Sequence, residues 1–159
     1  MNPNIYHAAI VLHIIGISLL SGATVFDYLG FRQFWRFVTM DRTRSMIVLE
    51  SNAVCQRLMG IGMGLIIVSG IVMMYYMHSI WGEQIWFRIK FVLLVLVIIN
   101  GLGIRRMLGS KLTKRIHLIT PDVDLTIELV AIRRNISGVH ILQFILLFSI
   151  FVLSVFKFN

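Results

Sequence analysis

From Ile5 to Phe26 the chain reads IYHAAIVLHIIGISLLSGATVF. A helix that crosses a bilayer needs about 20 mostly apolar residues. This run meets that length, and His7 and His13 are its only strongly polar members. The run does not alternate, so it is no strand of a membrane barrel. Three more runs of the same kind follow, at about residues 54–77, 86–108 and 137–156. The expected fold is all-α: an integral membrane four-helix bundle, with residues 1–159 forming one transmembrane domain.

The composition agrees. The chain is 58% hydrophobic and 14% charged, with a mean hydropathy of +0.87. Soluble domains are usually nearer half apolar. The tail Met1-Asn2-Pro3-Asn4 lacks the basic stretch of a cleaved signal, so the first helix is expected to be retained. The one cysteine, Cys55, is read as a small packing residue.

The net charge is +8. Its distribution points to lipid headgroups and membrane orientation, not to nucleic acid. Residues 32–57 carry Arg32, Arg36, Arg42, Arg44 and Arg57, and residues 105–134 carry Arg105, Arg106, Lys111, Lys114, Arg115, Arg133 and Arg134. That is twelve of the fifteen basic residues. The positive-inside rule places the two loops, 32–53 and 109–134, in the cytoplasm and both termini on the outer side. The expected location is the inner (cytoplasmic) membrane, crossed several times. Trp81 and Trp86 are expected at the outer interface. Asp41 to Asn52 has helical spacing, so the second helix is expected to begin early. Thr120-Pro121-Asp122 has the pattern of a helix start.

Polar groups inside a bilayer usually face the bundle interior. At 100° per residue, Ala9, His13, Gly16, Leu20, Ala23, Thr24 and Asp27 share one face of the first helix, and His7 does not. The second helix carries Gly60, Gly62, Gly64, Ser69 and Gly70. Gly60 and Gly64 are spaced for close helix packing, and Gly70 either packs likewise or makes room for a flat cofactor. On the third helix Trp86, Lys90, Leu94, Val97 and Gly101 share a face. His13 lies roughly 12 Å and Lys90 about 6 Å below the start of its helix. A ring ligated at His13 with carboxylates pointing outward would reach Lys90, whose bland reading is a snorkelling interface lysine. His140 sits too deep to oppose His13.

These residues carry a family resemblance. Leu12-His13-Ile14-Ile15 precedes Ser21-Gly22, and Arg57-Leu58-Met59 precedes Ser69-Gly70. Trp86-Phe87-Arg88-Ile89-Lys90-Phe91 opens the third span, and Arg134-Asn135 precedes the fourth. Together they resemble the HemJ-type protoporphyrinogen oxidases and related four-helix families, CopD-like copper-resistance proteins among them. The resemblance implies haem b, with His13 as an iron ligand and Lys90 as the functional, catalytic lysine. The chain departs from that pattern at Asn100-Gly101, where the family has a histidine, and at Ile136-Ser137-Gly138, where it has a Glu-x-Pro element.

Three functions stay open. The first is haem-based electron transfer or porphyrinogen oxidation, with His13, Gly70 and Lys90 at the cofactor and Met73 or Met74 as second ligand. The second is copper handling by His7, Met73, Met77 and His78, since thioether and imidazole suit Cu(I). The third is a non-catalytic subunit or assembly factor without a cofactor. Expected partners are the lipid bilayer, membrane-complex subunits or a quinone, in a homo- or hetero-oligomer. No phosphate loop, nucleophile triad or paired carboxylate motif is present. At the inner end, Asp27, Arg57, Arg105, His140 and Asn100 lie at similar depth. Asp27 is expected to bond Arg57, Arg105 or His140, either tying the helix ends together or forming a proton route.

Overall fold

The two prolines, Pro3 and Pro121, lie outside every apolar run. Nothing therefore breaks the backbone hydrogen-bond ladder within them, and the helices run well past the bilayer thickness. The computed structural model describes residues 3–38, 40–81, 84–118 and 127–156. Helix α1 spans Pro3–Phe37, α2 Arg42–Trp81, α3 Ile85–Ile98, α4 Arg105–Leu118 and α5 Ile127–Val155. A π-helical turn, Ile99–Ile104, joins α3 to α4. Four helical segments, Asn4–Phe37, Thr43–Tyr76, Ile85–Ile116 and Leu129–Val155, are long and apolar enough to cross a membrane.

The second helix begins early, as expected, and the residues after Phe26 and after Leu108, expected as loop, are helical as well. At 35 residues, α1 is about 50 Å long, well beyond a hydrocarbon core of about 30 Å. The reason is apolar spacing: Phe31, Phe34, Leu108, Leu112, Ile116, Leu129, Ile132 and Ile136 form a buried cluster at this end. Asp41 accepts a hydrogen bond from the Arg44 backbone N–H at 3.1 Å and so caps α2. Thr120, Pro121 and Asp122 lie outside the described residues.

Helices α1 and α2 form an antiparallel hairpin whose register is set by glycine, but not by the expected pair. A Cβ on Gly16 would sit 2.9 Å from the Gly62 carbonyl oxygen, and one on Gly62 would sit 2.9 Å from that of Gly16. Gly60 and Gly64 have open space on the Cβ side. Close approach therefore belongs to Gly16 and Gly62. Replacing Gly62 with alanine is expected to cost about 1–3 kcal/mol, because backbone on α1 must move. Gly60→Ala and Gly64→Ala are expected to be neutral or mildly stabilising, since alanine is the better helix former. Thermal melts of the three variants in one detergent check this contrast.

A second buried cluster sits mid-bundle, where Leu20, Ala23, Met59, Met63, Ile66, Val97 and Leu146 meet from all four long helices. Trp86 is 6% exposed and its indole N–H donates to the Gln84 side chain, so it is turned inward and not out into an interface. Between the two apolar clusters lies a polar layer.

Candidate functional site

That polar layer is built on Asp27, which is fully buried. It ends the α1 stripe, and Ala9, Gly16, Leu20, Ala23 and Thr24 above it are buried too. Arg105 donates from Nε to Asp27 Oδ2 and from Nη2 to Oδ1, both at 2.8 Å. This is the bidentate geometry in which a guanidinium and a carboxylate bind best. His140 Nε2 lies 2.9 Å from Oδ2. With both carboxylate oxygens accepting, the His140 proton at this contact sits on Nε2. The imidazole is held between the rings of Phe31 and Tyr28, at centroid distances of 5.3 and 5.7 Å.

The π turn aims Arg105 inward. Its wider winding, in which the Arg105 N–H bonds Asn100 O five residues back, keeps Val97, Gly101 and Arg105 on the buried side. The same turn presents Asn100, which donates to Gln143 Oε1 at 2.8 Å and to Val139 O at 2.9 Å. Next to it is a cavity of about 10 Å³ lined by Asp27, Asn100, Arg105, His140 and Gln143. That is about the size of one water. Asn100 Oδ1, His140 Nδ1 and Gln143 Nε2 are buried without a partner. Chemically the layer can hold a charge pair in an apolar interior and orient an imidazole.

Arg57 does not join this layer. It is exposed. It lies two residues before the buried Met59, about 200° round the helix, on the outward face of α2.

The second locus is His13, half-buried between α1 and α2. Its Nδ1 lies 2.9 Å from Ser69 Oγ. The Ser69 hydroxyl is itself within 2.5 Å of Leu65 O, a normal back-bond to its own helix. With the hydroxyl proton given to that carbonyl, Ser69 Oγ accepts from His13 Nδ1–H. A neutral ring then carries its lone pair on Nε2. Gly70 lies beside the ring: a Cβ there would stand 3.9 Å from His13 Cε1, an ordinary contact. Lys90 is half-buried and donates to Ser154 Oγ on α5 at 2.8 Å.

Met74 is 44% exposed. It falls about 140° round α2 from Ser69, which turns it away from His13. Met73, about 40° from Ser69, is half-buried. His7 is exposed and packs edge-on to Tyr6 at 6.1 Å. The side chains of Met77 and His78 lie outside the described residues. Among the described residues, no group of three or more His, Cys, Asp or Glu side chains is placed to hold a metal ion.

Sequence reasoning missed Ser69 as the partner of His13, and Gln143 as the partner of Asn100. For Ser69 the signal was available. It lies at the same depth in an antiparallel hairpin, on the face of α2 that carries Gly62 and Ile66. Compared with protein families, characterised proteins and solved structures, the chain matches none.

Proposed function

We propose that the chain is a haem b-associated membrane protein acting in electron transfer or porphyrinogen oxidation, with His13 as an iron ligand. The observation that carries this is the 2.9 Å contact of His13 Nδ1 with Ser69 Oγ. Metal-ligating histidines characteristically donate their other ring N–H to an oxygen, and Ser69 provides that oxygen. Gly70 puts no side chain beside the ring. These residues fit a haem held by one imidazole, and Met74, facing outward, is no longer a candidate second ligand. A bound haem b supplies one-electron chemistry at its iron. The chain's own part is to fix the imidazole and to place the Lys90 ammonium where a propionate would lie. The resemblance to HemJ-type oxidases points the same way.

In this reading both termini lie on the outer side of the inner membrane and the arginine-rich ends lie in the cytoplasm. The exposed apolar helix faces then meet lipid or partner subunits, and a quinone or a membrane-complex subunit exchanges electrons with the haem. The Asp27–Arg105–His140 layer ties the helices together and offers a proton route towards the redox centre. The copper reading is weaker because His7 faces outward.

The deciding measurement is the visible spectrum of the purified protein, where a Soret band is expected. Lys90→Met is expected to retain the band but to weaken haem affinity about 3–10-fold, as loss of one partly exposed ion pair does. An unchanged titration would make Lys90 a snorkelling residue. Colourless protein that stays colourless with added haem would leave the cofactor-free subunit reading in its place.

A further inference from the structure

A cavity of about 220 Å³ opens at the loop end of the bundle, between α1, α2 and α4. Phe31 and Phe34 form its apolar wall, and Asn52, Gln56, Arg105 and Arg106 form much of the rest. No Asp or Glu lies among its described lining residues. Its polar surface is therefore rich in N–H donors and carries positive charge.

Arg105 is the centre of this surface. A guanidinium has five N–H donors, and Asp27 engages Nε and Nη2 only. Nη1 lies against Gly109, 2.8 Å from where a Cβ would stand, and Gln56 Nε2 is 3.4 Å from the same point. A side chain at position 109 would fill this corner, and glycine keeps it open. Asn52 is 5% exposed, lines the same cavity and makes no side-chain hydrogen bond among the described residues. Its amide opens onto the cavity, where a ligand would bond it. Its Oδ1 crowds Gly30 so closely that no Cβ would fit there. Ser110 adds a hydroxyl to the wall.

We infer that this cavity binds a phosphate group. The donors come from two helices, Asn52 and Gln56 on α2 and Arg105, Arg106 and Ser110 on α4. They are too many for the two oxygens of a carboxylate and suit the three or four of a phosphate. Asp27 holds one edge of the Arg105 guanidinium rigid, and the other edge is left for an anion in the paired geometry that arginine favours. The phosphate comes either from an anionic lipid headgroup, as basic pockets between membrane helices accept, or from a soluble phosphate. The inference does not depend on haem.

The test follows the thermal unfolding of the full chain in two series. In neutral detergent it is titrated with inorganic phosphate against potassium chloride at matched ionic strength. In nanodiscs of phosphatidylcholine it is compared with and without phosphatidylglycerol. Stabilisation by phosphate over chloride assigns a soluble phosphate. Stabilisation by phosphatidylglycerol alone assigns a lipid headgroup. In either case the exposed Arg106→Gln is expected to weaken the apparent affinity about tenfold, the loss of one charged hydrogen bond, and Asn52→Leu to abolish the response. No response in either series overturns the inference. So does a response that Arg106→Gln leaves at full strength, which holds even if Asn52→Leu fails to fold.

Discussion

Asp27→Ala will destabilise the folded protein by about 3–5 kcal/mol, the cost of removing one partner from a buried ion pair. The structure explains why the figure belongs at the high end of single substitutions. Asp27 is fully buried and Arg105 is 4% exposed. Both sit between two apolar clusters, so removing the carboxylate leaves the guanidinium without its counter-charge. It also strands His140 Nε2, whose ring nitrogen opposite, Nδ1, already lacks a partner. Denaturant unfolding in a fixed detergent measures the loss. Asp27→Leu combined with Arg105→Met is expected to be less damaging than Asp27→Ala alone, because both charges leave together and apolar volume replaces them. A loss within about 0.5 kcal/mol for Asp27→Ala, the range of ordinary surface changes, would show that the layer does not hold the bundle together. Asp27→Asn separates structure from proton traffic. If it stays folded and shifts the pH dependence of haem reduction, the layer moves protons. If it unfolds the protein, the layer's role is structural.

How much of this was legible depended on whether a helix had two kinds of face. On α1 small and polar residues recur at helical spacing, so Ala9 through Asp27 could be assigned to the interior, and His7 away from it, from the 100° projection alone. Depth then brought Asp27, Arg105 and His140 to one level. Helix α2 is apolar nearly all round, from Leu58 to Val72. Periodicity therefore says little about its rotation, and three assignments failed there together. Arg57 and Met74 face outward, and the close glycine is Gly62 in place of the Gly60 and Gly64 pair. The π turn was invisible for another reason. Its residues, Ile99 to Ile104, have ordinary helix and glycine chemistry. What selects the wider winding is the fit of Asn100 against Gln143 and Val139 O, a contact between segments some 40 residues apart. Of the helical extensions past the bilayer, the early start of α2 is legible in the spacing of residues 41–52, whereas those of α1 and α4 are masked by charges that serve as orientation signals, with Phe31, Phe34 and Leu112 keeping apolar spacing beneath them.

His13→Ala is expected to abolish haem retention, with complete loss of the Soret band and little loss of fold. The fold should tolerate the change because His13 is only half-buried and its hydrogen bond to Ser69 makes a net contribution of about 1 kcal/mol. Ser69 is not stranded by it, since its hydroxyl keeps the Leu65 carbonyl as a partner. In the proposed reading the spectrum, by contrast, depends on the His13 imidazole. Ser69→Ala refines the test. It keeps the ligand but removes the oxygen that fixes the tautomer, and loss of such an outer partner typically weakens metal binding 10–100-fold. Graded loss in the order wild type, Ser69→Ala, His13→Ala, by haem titration of folded protein, fits ligation at Nε2. His7→Ala provides the control, because His7 lies on another face of α1 and should leave the titration unchanged. If His13→Ala binds haem as the native chain does, the imidazole is a packing group bonded to Ser69 and the haem assignment fails. A spectrum lost only in His7→Ala would move the haem ligand to the terminal end of α1.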